Sequence, residues 1–319
     1  MGRSVRYLRL GVTDRCDMAC VYCMPEGYRG TPRREQLSVD EVVRIVRVFY
    51  AVGVRTVRLT GGEPLVRRDV VHLVSAIATA VPGLDLALTT NGALLARLAR
   101  PLRDAGLQRL NISVDSVHAD CFHQLTRTGD WAAVRAGIDA ARDAGFTEIK
   151  TNTVVLRDHN LDQVPEIARW AHDRGLTPRF IELMPLGEGA SLMNQHVPWT
   201  EIRARLGALL QDGPTESPRQ RGPAFYLPVR AGQGRVGFIT AVSNHFCNTC
   251  DRVRVSARGE LRACLANPHG VSLRDAVRQG ATDAQLLHLL RGVLAGKDRH
   301  AFTTGPRAAA AVVMTGIGG

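Results

Sequence analysis

Aromatic residues are scarce in this 319-residue chain: Phe, Trp and Tyr together make up 5% of it. Proteins that track single-stranded nucleic acid interleave cations with stacking aromatics, and no such pattern is present. Acidic residues are in the minority, 30 against 41 Lys and Arg, for a formal net charge of +11. An excess of that sign calls for an anionic partner, and phosphorylated metabolite, nucleic acid and membrane surface all satisfy it. Long apolar runs are missing too; none approaches the roughly 20 residues of a membrane span. Met1 to Arg9 are basic but lead into no apolar signal core, so a cytoplasmic location is expected. Cysteines number seven, an odd count, and a reducing compartment keeps such thiols available for metal. The chain is nevertheless 45% hydrophobic, enough to fill one large core and a smaller one.

Six of the cysteines fall into two sets of three. Cys16, Cys20 and Cys23 form C-x3-C-x2-C directly after an apolar strand-like run. A structural zinc wants four ligands, usually as two close pairs, and no fourth cysteine stands nearby. Three thiolates on a 4Fe-4S cube leave one iron open to bind and activate a small molecule.

The rest of the chain alternates strand and helix. Strands are expected at Tyr7 to Val12, Arg55 to Thr60, Leu84 to Thr90, Arg109 to Val114, Glu148 to Leu156 and Thr177 to Glu182. Helices are expected at Ser38 to Val52, Asp69 to Ala80, Leu94 to Ala105, Trp131 to Ala144 and Leu161 to Arg174. Six such units with right-handed crossovers predict an α/β fold, a partial (β/α)6 TIM-like barrel with every post-strand loop at one rim. That rim would gather the cysteines, Gly61-Gly62-Glu63-Pro64, Thr89-Thr90-Asn91, Ser113, Asp115 and Met184. The two glycines let backbone approach a ligand closely, and a fixed carboxylate could hold an amino-acid ammonium.

Within the strands, Arg9, Arg58 and Lys150 sit beside apolar neighbours and alternate away from them, and Arg179 is placed to join them. If the apolar side meets the helices, these cations point into the barrel. Buried cations need internal carboxylates or an anionic ligand, and a polyanionic substrate accounts for all of them together.

After Glu182 the pattern changes. Residues 185–198 are rich in Gly and Pro, a helix follows from Trp199 to Leu210, and the polar, proline-bearing stretch 212–223 carries a domain boundary, placed between residues 215 and 216. The smaller C-terminal α+β domain holds the second set: Cys247 and Cys250 as C-x2-C, and Cys264 after thirteen intervening residues. Alone, these three read either as zinc ligands, with His245 or His269 as the fourth, or as a second three-cysteine cluster site. Arg252 and Arg254 alternate onto one face beside them, as a second binding point for an anion would require.

The C-x3-C-x2-C spacing with aromatic Tyr22 before the third cysteine, together with GGEP after the second strand, resembles the radical S-adenosylmethionine (SAM) superfamily. The run Arg9 to Cys16, R-L-T-G-G-E-P-L at Arg58 to Leu65, F-C-x2-C-x-R-x-R from Phe246, the later single Cys264 and terminal Gly318-Gly319 narrow the resemblance to the GTP 3′,8-cyclase family of molybdenum-cofactor biosynthesis. That resemblance implies two 4Fe-4S clusters, on Cys16, Cys20 and Cys23 and on Cys247, Cys250 and Cys264, and conversion of GTP to (8S)-3′,8-cyclo-7,8-dihydroguanosine 5′-triphosphate. It implies SAM contacts at Tyr22, Gly62, Ser113 and Met184. GTP contacts would be Arg9, Arg58, Thr89, Lys150, Arg179, Arg252, Val253 and Arg254. Catalytic roles would fall to the first three cysteines, Arg252, Arg254, Gly318 and Gly319. An electron donor (flavodoxin-like or another reductant) and a downstream cyclic pyranopterin monophosphate synthase are the implied partners. Neither membrane nor nucleic acid is among them, and a homodimer is compatible with the pattern.

Thr56 stands where the resemblance leads one to expect a basic residue, which would remove one phosphate contact. Cys121 belongs to neither set and is expected to be an inert buried thiol. Two other readings stay open from the residues alone: a radical SAM maturase acting on a peptide, and a zinc-stabilised nucleic-acid-binding protein.

Overall fold

Alternation along each strand decides which face meets the helices. In β1 (Tyr7–Thr13), Leu8, Leu10 and Val12 are buried in the main core, whereas Tyr7 and Arg9 line a cavity on the opposite face. The same division recurs in β2 (Thr56–Gly61), β3 (Asp85–Thr90), β4 (Arg109–Ser113), β5 (Ile149–Val155) and β6 (Thr177–Glu182). The structure is a computed structural model and describes residues 5–27, 32–211, 222–230, 234–267, 270–295 and 297.

Between these strands run α1 (Val39–Ala51), α2 (Val70–Ala80), α3 (Leu95–Asp104), α4 (Ala119–Thr126), α5 (Trp131–Asp143) and α6 (Val164–His172). Helix α1 shows how locally these elements are specified. Ser38 accepts from Glu41 N and Glu41 accepts from Ser38 N, a reciprocal cap, and Val42, Ile45, Val46 and Phe49 form its buried stripe. The expected helices are present to within a few residues, except that the one read from Trp199 to Leu210 shortens to α7 (Trp199–Arg205). Helix α4, in the loop after β4, escaped the sequence reading.

Strands β1 to β6 pair in order, all parallel, as right-handed crossovers require. The C-terminal part adds β7 (Phe225–Pro228), β8 (Arg235–Ile239), β9 (Arg252–Val255), β10 (Glu260–Arg262), β11 (Val271–Ser272), α8 (Leu273–Arg278) and α9 (Asp283–Ala295). These strands do not form a sheet of their own. One 11-stranded sheet runs β11-β10-β9-β1-β2-β3-β4-β5-β6-β8-β7, with β9 parallel to β1 and β8 parallel to β6. The barrel wall is thus eight parallel strands, β9-β1-β2-β3-β4-β5-β6-β8, two of them supplied by the C-terminal part, one at each edge. The expected boundary at 215/216 lies outside the described residues. A second core around β6, β8, α6 and α7 holds Phe180, Phe238 and Ile202, and the Trp199, Phe225 and Phe238 rings pack edge-on and stacked beside it.

Candidate active site

The inner faces of this wall enclose a cavity of about 280 Å³. Cys16, Cys20 and Cys23 reach it from the loop after β1, which other loops hold in place. Ala19 N donates to Thr126 O and Val21 N to Leu125 O, both at 3.0 Å, so the C-terminal end of α4 is the platform on which the cysteine loop lies. Thr128 donates to Asp17 O at 3.0 Å, Asn91 Nδ2 to Asp17 Oδ1 at 2.6 Å, and Arg127 to Pro25 O. Arg127 has a φ of +62°, the sole positive φ among the described non-glycine residues, which marks a turn the surroundings enforce.

Tyr22 lines the cavity, and its hydroxyl donates to Asp115 Oδ2 at 2.5 Å. Asp115, placed at the rim by the sequence, is buried and also accepts from Val154 N at 2.9 Å; burial raises its pKa to about 6, against the lowering effect of these bonds. Glu63 is a fixed carboxylate: it accepts from Leu65 N, Thr90 Oγ1 and Asn91 N, and burial raises it to about 7. The glycines before it, which line the cavity, also have a reason within the fold. A Cβ on Gly61 would stand 2.0 Å from Thr13 O, and one on Gly62 2.2 Å from Arg15 O. The space they free is filled by the start of the cysteine loop, to which Gly62 N and Glu63 N donate.

Burial pushes the Cys16 thiol up to about 12, Cys23 to about 11 and Cys20 well above its usual value. Thiols in that setting become thiolates when metal supplies the compensating charge. Among the described residues no three His, Cys, Asp or Glu side chains could hold a single metal ion. A cube asks something else of its ligands, one thiolate at each of three separate irons, and three cysteines facing one cavity fit that demand.

Cys247, Cys250 and Cys264 line an adjoining cavity of about 70 Å³. Burial raises Cys247; it acts the same way on Cys250, but the charges of Arg252 and Lys297 together with hydrogen bonds from Arg252 outweigh it and lower that thiol. Met184, Ile239, Arg252, Arg254 and Leu265 line both cavities. The two sets of cysteines therefore line adjoining cavities, which the pairing of β9 with β1 brings side by side. His245 Nδ1 lies 2.8 Å from Ala241 O, and His269 falls outside the described residues.

Arg9, Arg58, Lys150, Arg179, Arg252 and Arg254 all line the larger cavity. So do Gly62, Thr89, Ser113 and Met184. Val253 does not: its side chain is fully buried in the core, because alternation turns it away when Arg252 and Arg254 face inward, and its main chain alone adjoins the site. Arg109 was missed, although it shares the alternation of Asn111 and Ser113. It lines the cavity and is paired to Asp85, with Arg109 Nε 2.7 Å from Asp85 Oδ1. Thr56, buried, donates to the same carboxylate at 2.9 Å, so the inner cation here stands on β4 rather than on β2. Tyr7 was also missed; it accepts from Arg58 Nε.

Several cavity groups await a partner. Thr60 Oγ1, Thr89 Oγ1, Asn152 Oδ1 and Arg179 Nε and Nη2 are buried without a hydrogen bond. Orphaned polar atoms are rare in folded proteins and call for a bound group; the two threonine hydroxyls and Arg179, with Arg58, whose acceptors are Tyr7 Oη and Leu88 O, are donors that suit an anion, whereas Asn152 Oδ1 is an acceptor and calls for a donor on the same ligand. Gly318 and Gly319 lie outside the described residues. Cys121 is half-buried rather than buried, because it sits on α4 with its thiol toward His159 O at 3.5 Å.

Residues 10–171 match the family model of the radical SAM superfamily, and residues 176–303 match that of Molybdenum Cofactor Synthesis C. A parallel wall with three cysteines on its first loop is accordingly the scaffold of a radical SAM enzyme. Curated proteins named GTP 3′,8-cyclase are similar along nearly the whole length: that of Pseudomonas putida (strain W619) is 48% identical over 316 residues, 95% of this chain and 92% of that one. Those of Marinobacter nauticus and Pelotomaculum thermopropionicum are 45% and 43% identical, over 95% and 96% of this chain and 92% and 95% of theirs. The chain belongs to the GTP 3′,8-cyclase family. Among solved structures, Streptococcus suis SuiB bound to precursor peptide SuiA shares the fold, with a TM-score of 0.63 at 13% identity over 86% of this chain and 65% of that one. Such low identity shows the fold alone, and the family assignment sets aside the maturase and zinc-protein readings.

Proposed function

We propose that this protein converts GTP to (8S)-3′,8-cyclo-7,8-dihydroguanosine 5′-triphosphate, the first step of molybdenum-cofactor biosynthesis, with SAM and two 4Fe-4S clusters as cofactors. The observation that carries the reading is a pair of adjoining cavities, each lined by one set of three cysteines, that share Arg252 and Arg254 in their walls. Cys16, Cys20 and Cys23 would hold the first cluster, and Cys247, Cys250 and Cys264 the second. When bound, these groups supply one-electron reduction, hydrogen-atom abstraction and an open iron for the base.

The chain's own residues do the rest. Arg58, Lys150 and Arg179 neutralise the triphosphate, the guanidinium groups by forked hydrogen bonds. Arg9, Arg252 and Arg254 orient the nucleotide between the two cysteine sets. Tyr22, Gly62, Ser113 and Met184 contact SAM. Met18, Phe122, Ile239 and Leu265 close the space with apolar surface, which excludes water and stray hydrogen donors from the reacting ribose. Catalytic parts for Gly318 and Gly319, a flavodoxin-like electron donor, a downstream cyclic pyranopterin monophosphate synthase, a cytoplasmic setting and a homodimer complete the reading. Among the described residues no helix is long and apolar enough to cross a membrane.

Anaerobic protein given GTP, SAM and dithionite should release 5′-deoxyadenosine and form a product of the same mass as GTP, since the hydrogen lost from C3′ is matched by one gained at N7. SAM cleavage that leaves GTP intact would instead point to another substrate.

A pH effect follows from Lys150. Burial and the neighbouring Arg179 and Arg109 lower its pKa to about 8, with Glu148 opposing and Arg235 adding to the shift. A phosphate beside it favours the charged form, so binding takes up a proton above pH 8 and affinity falls as pH rises through that value. Between pH 7 and 9 the dissociation constant of GTP should rise about tenfold, and Lys150→Arg should flatten the profile. Equal affinity at both pH values would remove Lys150 from the phosphate site.

A further inference from the structure

We propose that Lys297 holds the two chain segments of the second cysteine set at cluster spacing, and so acts as a positioning residue for the second 4Fe-4S cluster. The proposal rests on the two-cluster reading above. Lys297 follows the end of α9, where its main-chain N–H donates to Leu294 O at 3.2 Å, a place at which the helix dipole favours a cation. Its ammonium donates to two carbonyls, Arg252 O and, at 2.7 Å, Ala263 O.

The position of those carbonyls gives the interaction its meaning. Strands β9 and β10 pair antiparallel through Leu261 with Val255 and Arg262 with Arg254, and the ladder ends there. Ala263 is the next residue outward on β10 and Arg252 the second outward on β9, so the ammonium bridges the strands just beyond the last paired residues. Cys250 lies two residues before Arg252, and Cys264 directly follows Ala263. One side chain thus sets the separation of two thiols that belong to different strands. Lys297 also lines the small cavity with all three cysteines, where a positive charge offsets the negative charge of three thiolates on a cube.

No sequence motif marks this lysine, because its partners are main-chain atoms 45 and 34 residues away. A partner that orients ligands without binding the metal commonly changes metal affinity by about 10–100-fold when removed. The test uses the full chain with Cys16, Cys20 and Cys23 replaced by alanine, in which about four irons report the second site alone. Iron loss to a ferrous chelator should be about tenfold faster in Lys297→Met than in this parent, and Lys297→Arg, which keeps charge and donors, should restore retention. Equal rates in the Met variant and the parent would overturn the proposal. Should the Met variant not fold, the Arg variant decides: full iron with parent-like retention supports the role, and iron lost with the far-UV spectrum intact overturns it. A parent that takes up zinc instead of iron would sink the two-cluster reading and this inference with it, a result distinct from a parent whose irons ignore residue 297.

Discussion

Replacing Cys247, Cys250 and Cys264 together by alanine should lower iron from about eight to about four atoms per chain and cut GTP turnover by about three orders of magnitude, while SAM is still bound. The separation of these effects comes from the layout. The first cysteine set is anchored on Leu125 and Thr126 of α4 and by Asn91 and Thr128, none of which touches the C-terminal strands' cysteines. The second set lines the adjoining cavity with Arg252 and Arg254. In the function proposed above that set holds the base, so its loss would let the ribose drift out of reach of the reacting centre. A single ångström of misplacement can cost about a hundredfold, and loss of the whole anchor costs more. Iron analysis, visible spectra and 5′-deoxyadenosine release decide the matter; a variant that keeps eight irons or full turnover would refute the division of labour.

Glu182→Ala should destabilise the fold by about 3–5 kcal/mol, a fall of roughly 4–8 °C in Tm. Glu182 is 1% exposed at the end of β6. One carboxylate oxygen accepts from Trp199 N at 2.8 Å and from the Ser243 hydroxyl; the other accepts from Val242 N and Ser243 N, each at 2.9 Å. Alanine leaves all four donors without an acceptor, and each buried orphan costs about 1–3 kcal/mol unless water enters the space. The damage should be local as well as global. Val242 and Ser243 lead directly to Phe246 and Cys247, so the second site should lose iron before the first. Glu182→Gln tests the charge: its amide turned toward N–H groups should recover less than half of the stability. A melting temperature within a degree of the parent for the alanine variant would show that solvent satisfies these donors.

The two cysteine sets, the six strand-and-helix units and most of the inward cations could be read from the chain because their signals are local. Spacing along a loop defines a three-thiol site, and strict alternation assigns Arg9, Arg58 and Lys150 to the face opposite Leu8, Leu10, Val57 and Ile149. Ser38 and Glu41 announce α1 within four residues. The same alternation would have placed Arg109 inward and Val253 outward had it been applied to every strand, so these two were legible but unread.

Other features had no local signal. Nothing in the C-terminal segment announces that β9 joins β1 while β8 joins β6, the pairing that widens the wall to eight parallel strands and brings Arg254 beside Arg9. Asp85 meets Arg109 and Thr56, Asp115 meets Tyr22, Glu182 meets Ser243, and Lys297 meets Arg252 only through the pairing and packing of segments far apart in the chain. The sequence by itself determined which residues carry chemistry and which face of each strand they occupy, since period and spacing act within a few residues. The tertiary structure alone decided which of them share one cavity and what holds them there, since those contacts join residues tens to hundreds of positions apart and depend on long-range strand pairing.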